Sequence, residues 1–150
     1  MSEELLIAHC SPTMAGLKTG SLFTCPMQSR AEILARARSL NRRFARRGMR
    51  VLPLKFYADR ALIYIYRPAH LRRDLSGALA ARILKERDYP VENAERCIRT
   101  LIARLHENAD FPHEIGLFLG YPPEDVDGFI QNGARCAKCV GPWKVYGDEQ

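Results

Sequence analysis

The segment that most constrains the fold is Ala61-Leu62-Ile63-Tyr64-Ile65-Tyr66. In an extended chain Leu62, Tyr64 and Tyr66 point to one face, and Ile63 and Ile65 to the other. Both faces are apolar, so both must be covered, which predicts an inner strand. Arg67-Pro68 ends it, because proline offers no amide hydrogen to a strand ladder. Residues 49–57 are also strand-like, and Ala58-Asp59-Arg60 supplies a short connection, so the two segments read as a β-hairpin. The expected architecture is α+β. A small mixed or mostly antiparallel sheet of roughly three to five strands, with its central hairpin near 51–66, is covered by helices.

The covering helices have their own signals. Ser29 can accept hydrogen bonds from free amides at the start of a helix over 30–47, whose apolar positions Ile33, Leu34, Ala37, Leu40, Phe44 and Ala45 fall near helical spacing. Gly48 is placed to end it. Further helices are expected over 77–87, up to the break at Pro90, and over 91–107, where Ala94, Cys97, Ile98, Leu101, Ile102 and Leu105 form an apolar stripe. Two short helices are expected over 113–119 and 124–131, separated by Gly120-Tyr121-Pro122-Pro123. Near the start, residues 4–9 read as a short buried strand, with a helical turn as the alternative, Ser11-Pro12 as the start of a short helix over 12–18, and residues 21–25 as a further strand or extended segment. An edge strand is expected over 140–146.

A chain of 150 residues with 27% charged residues fits one globular domain with a real core. No apolar run reaches the roughly 18 residues of a membrane span, and the acidic start MSEELL is unlike a secretory leader. Five cysteines at irregular spacing do not make a secreted disulfide framework, so a cytoplasmic protein with reduced thiols is expected. The net charge of +6 is concentrated: residues 29–50 hold eight arginines and one acid, Glu32.

Four stretches carry candidate chemistry. His9-Cys10-Ser11-Pro12-Thr13 places a thiol near a helix start, where free amides favour thiolate over thiol and Thr13 and Lys18 could help hold an anion. The cysteine-phosphatase loop is excluded, because its phosphate-clamping arginine would fall at Gly16. The competing reading makes Cys10 a small buried hydrophobe. Cys136-Ala137-Lys138-Cys139 can supply two thiolates to one tetrahedral metal, or a dithiol pair, but a single pair cannot close a metal site alone. The arginine-rich helix could dock an acidic surface or remain a solvated face. No aromatic platform accompanies it, which weighs against nucleic acid. The two short helices have the outline of a helix-turn-helix, yet Glu124, Asp125 and Asp127 in the second would repel phosphate.

The strings HCSPTMAGLKTGSLF at 9–23, IYIYRP at 63–68, HEIGLFLGYPPEDVDGFI at 113–130 and CAKC with WKVYGD at 136–148 resemble a family of small bacterial proteins, domain of unknown function 3793. The resemblance covers nearly the full length and implies no established activity. Its characteristic strings sit at both ends of the chain, and if the fold brings those ends together His9, Cys10, Lys18, Glu114, Cys139 and Lys144 would line one pocket. On that basis His9, Cys10, Lys18 and Glu114 are catalytic candidates, Thr13, Lys144 and Tyr146 cofactor-binding candidates, and Cys10, Cys136 and Cys139 metal-ligand candidates. The expected function is a cytoplasmic thiol protein that binds a transition metal (zinc or iron) or a redox cofactor. The alternative is a non-catalytic protein whose helix 30–47 docks an acidic partner, such as a flavodoxin-like electron carrier.

Overall fold

The structure, a computed structural model, describes residues 3–132. They form two compact units, one up to Ala69 and one from His70 onward. The first contains α1 (Glu3–Met14), β1 (Gly20–Pro26), α2 (Arg30–Phe44) with a 3-10 turn over Ala45–Arg47, β2 (Arg50–Phe56) and β3 (Arg60–Tyr66). The strands make a three-stranded antiparallel sheet in the order β1-β3-β2, so the doubly apolar segment is its inner strand. Gly20 of β1 and Arg50 of β2 both lie opposite Tyr66. The β2–β3 register shifts between Pro53 and Lys55, where proline interrupts the supply of amide donors.

One face of the sheet, through Phe23, Val51, Ala61, Ile63 and Ile65, shares an apolar core with Leu6 of α1 and with Ile33, Ala37, Leu40 and Phe44 of α2. On the opposite face Tyr64 and Tyr66 are buried, with ring centroids 4.6 Å apart. Ser29 caps α2 by accepting from the Glu32 amide at 3.1 Å, and Gly48 ends the helical stretch with φ of 71°. The Asn41 side chain bonds both backbone groups of Val51, accepting from its amide at 2.7 Å and donating to its carbonyl at 2.9 Å. Arg67 ties the unit together: its guanidinium donates to the carbonyls of Thr13, Met14 and Arg47 at 2.7–2.8 Å.

The start of the chain departs from expectation. Residues 4–9 belong to α1 and not to a strand, and the helical run continues through a kink at Cys10 (φ −127°, ψ 15°) to Met14. A short apolar run has no period that separates a buried strand from a buried helix, and Glu, Leu and Ala favour the helix. The kink follows from Pro12, which has no amide hydrogen to close the turn behind it.

The second unit is helical: α3 (Pro68–Leu75, starting at the boundary), α4 (Ala78–Glu86), α5 (Ala94–Glu107), α6 (Ile115–Leu119) and α7 (Pro123–Asn132). α5 starts at Ala94, three residues later than expected, because Asn93 accepts from the Arg96 amide and caps the helix there. Gly120 ends α6 with φ of 90°. The fold is thus α+β, with helices at 30–44, 78–86 and 94–107 and two short ones in 115–132. The strand expected over 140–146 lies outside the described residues.

Candidate functional site

The candidate residues fall in three places. In the first unit, the kink of α1 turns Cys10 inward. Its side chain is 0% exposed within the apolar core. Burial pushes the thiol up to about 12, against smaller opposing effects of Lys18 and a hydrogen bond with Ser21. The group is therefore a neutral thiol at physiological pH. Lys18 is half-buried; burial lowers its pKa, partly offset by Cys10. Thr13, fully buried, shares a 2.8 Å hydroxyl–hydroxyl hydrogen bond with Ser21. The ring of His9 stacks near Phe23 at 6.1 Å. Thus His9, Cys10, Thr13 and Lys18 gather around the α1–β1 connection. The thiolate-favouring helix start is outweighed there by the apolar core.

Also in the first unit, the face of α2 opposite its buried stripe is strongly basic. Arg30, Arg36, Arg38, Arg42 and Arg43 of α2 are all exposed, as are Arg46 and Arg47 of the 3-10 turn and Arg50 at the start of β2. Glu32 is the single acid among them, and its carboxylate accepts from the Gln28 amide at the helix start. Leu34, expected within the apolar stripe, instead lies 41% exposed one helical turn from both Arg30 and Arg38, and Ala45 is exposed as well. Residues 1–69 as a whole carry twelve Lys/Arg and four Asp/Glu, a net charge of +8.

In the second unit, three helix ends meet around Glu114. It precedes α6 and is 1% exposed. The Tyr89 hydroxyl donates to Glu114 Oε2 at 2.8 Å. Arg87, at the end of α4, places Nε 3.7 Å from Oε1, and Arg104, in the last turn of α5, places Nε 3.8 Å from Oε2. Arg104 also donates to the Arg87 carbonyl and lies over the Tyr89 ring, 5.3 Å from its centroid. Burial first, then the Glu114 charge and the hydrogen bond to it, push the Tyr89 phenol well above its ordinary value, so it remains a donor. A cavity of about 330 Å³ opens beside this cluster, lined by Arg87, Arg104, Asn108, His113 and Glu114 among others.

Glu114 was visible from sequence, and its partners Tyr89, Arg87 and Arg104 were not. The available signal was the carboxylate itself: an acid directly ahead of Ile-Gly-Leu-Phe-Leu needs charged or donor groups from elsewhere once that run is buried. Cys136, Cys139, Lys144 and Tyr146 lie outside the described residues. Among the described residues, no three His, Cys, Asp or Glu side chains group as metal ligands, and no helix is long and apolar enough to cross a membrane.

These features define an α+β protein with an arginine-faced helix and a buried carboxylate centre. A family model matches residues 6–150, nearly the whole length, and the chain belongs to that family, described as protein of unknown function (DUF3793). No curated protein and no solved structure matches it.

Proposed function

We propose that this chain is a binding protein that docks an acidic protein partner through the arginine face of α2. The observation that carries the reading is the sorting of that helix. Ile33, Ala37, Leu40 and Phe44 are buried, while the arginines of 30–50 all face outward with a partly exposed leucine among them. A solvated helix face ordinarily mixes both signs of charge; this one is almost wholly of one sign. Arginine without lysine suits carboxylates, since the planar guanidinium offers two parallel donors to one acid group. An exposed apolar side chain with an arginine one turn before it and one turn after it resembles part of the centre and rim of a protein interface. Nucleic acid is favoured less, because Leu34 offers nothing to a phosphate backbone. A flavodoxin-like electron carrier is one partner of suitable chemistry.

The test is charge reversal at Arg42, Arg43 and Arg46 in the full chain, read by co-purification of acidic proteins from the native host. Loss of a specific partner with an unchanged melting temperature is the expected result, since exposed substitutions shift stability by only about 0.5 kcal/mol or less each. An identical set of captured proteins would overturn the reading. So would a steeply salt-dependent affinity for DNA or RNA that the same reversal abolishes.

The thiol reading, with Cys136 and Cys139 as metal ligands or a redox pair, has narrower support. Lys18 lies close enough to Cys10 to favour its ionised form, but the burial of Cys10 opposes that more strongly. Zinc and iron analysis of anaerobically purified wild type and Cys139→Ser decides it: stoichiometric metal lost in the variant supports the reading, and equal content in both removes it.

A further inference from the structure

The cavity beside Glu114 holds chemistry that docking through α2 does not use. A carboxylate and two guanidiniums fastened together only for stability would be expected to meet at hydrogen-bonding distance, about 2.7–2.9 Å. Here the two arginine Nε atoms stand 3.7 Å and 3.8 Å from the carboxylate oxygens. Glu114 Oε2 accepts from Tyr89, while among the described residues Oε1 accepts no hydrogen bond. Arg87 has five N–H donors, and among the described residues its guanidinium donates none of them. An acceptor and a donor fork, paired by charge but each unused in hydrogen bonding, therefore stand side by side, 3.7 Å apart, on the wall of a cavity of about 330 Å³. That volume lies at the small end of ligand pockets.

The charge on the wall narrows the ligand further. Arg87 and Arg104 contribute two positive charges, and Glu114 and the exposed Asp110 two negative ones. A dianion such as a phosphate ester would meet two carboxylates with no excess of positive charge. A monoanion that also carries a donor matches both unused groups. We propose that this cavity binds a small carboxylate with a neighbouring hydroxyl or amino group. The carboxylate lies on the Arg87 fork and the donor points to Glu114 Oε1. Tyr89 and Arg104 are positioning residues: the phenol occupies Oε2, and Arg104 ties the end of α4 through the Arg87 carbonyl.

The experiment titrates the full chain with lactate, glycine, acetate and inorganic phosphate at fixed ionic strength. The readout is the NMR signals of the arginine Nε–Hε groups. Lactate or glycine is expected to shift Arg87 saturably while the α2 arginines stay still, and acetate, which lacks the donor, is expected to bind more weakly. Arg87→Gln should weaken binding about tenfold or more through loss of a charge-assisted pair. Arg87→Lys, which keeps the charge and loses the fork, should fall between wild type and Arg87→Gln; it carries the test alone if Arg87→Gln does not fold. Shifts that grow linearly, that appear equally on the α2 arginines, that favour phosphate, or that survive in Arg87→Lys unchanged would each overturn the proposal.

Discussion

Cys10 and Glu114 are almost equally buried, at 0% and 1% exposure, and their surroundings treat them in opposite ways. Cys10 sits among Leu6, Phe23 and the α2 stripe, where the thiol is retained by becoming an apolar group. Glu114 sits where α4, α5 and α6 have their ends, and its charge is retained by two guanidiniums and a phenol. The difference comes from where each lies on its element. A kink within a helix that packs on a sheet offers only side chains of the core. Helix ends bring unsatisfied carbonyls and long side chains that can reach them, as Arg104 reaches the Arg87 carbonyl.

The largest effect should come from removing the carboxylate. Glu114→Ala leaves two arginines facing each other without their counter-charge. A loss of about 3 kcal/mol is expected, the low end for a broken buried pair, because both arginines keep about a third of their side chains in solvent. Chemical denaturation measures it; an unchanged midpoint would mean that the cluster is solvated and not a centre. Tyr89→Phe tests the same centre more gently and should cost about 1.5–3 kcal/mol, the value of a hydrogen bond to a charged group. A phenylalanine variant as stable as wild type would leave the phenol without a holding role.

The smallest effect belongs to the thiol. Cys10→Ala should cost about 1 kcal/mol at neutral pH, through a small cavity. Its alkaline behaviour is more telling. The folded thiol titrates at about 12 and an ordinary thiol at about 9. Between those values the unfolded chain has released a proton that the folded chain still holds. Stability contributed by Cys10 is therefore complete below pH 9 and is lost as pH rises toward 12, at up to about 1.4 kcal/mol per pH unit. Cys97, pushed up to about 11 by its own burial, adds a second loss over part of that window. Denaturation midpoints from pH 8 to 11 should fall less steeply in Cys10→Ala than in wild type, and parallel curves would show that Cys10 is not held neutral.

Much of the scaffold was legible from residues that act locally. Alternation fixed β3 as an inner strand, while Ser29, Gly48 and Gly120 marked helix ends because each does its work within one turn of chain. Residues 4–9 read first as a strand and only second as a helical turn, since four apolar residues in a row carry no period, and the helix is what forms. The Glu114 centre was legible only as a lone acid. Its partners come from 25, 27 and 10 positions away, Tyr89 and Arg87 in the connection after α4 and Arg104 on α5, and nothing in the spacing of those residues links them to Glu114. The α2 arginines were legible as a charge cluster, and the structure adds that all of them face outward.

The two bonds from Asn41 to Val51 have a consequence for how the molecule behaves in a crowd. A sheet of three strands has two open sides, and an open side is a template onto which another extended chain can be laid. On β2 the outward peptide groups of Val51 are already occupied by a side-chain amide, Pro53 has no hydrogen to offer, and the register breaks two residues later. A second chain approaching that side would find no run of free donors and acceptors long enough to zip onto. One asparagine on the helix that carries the arginines thus takes up a donor and an acceptor that an added strand on the β2 side would need.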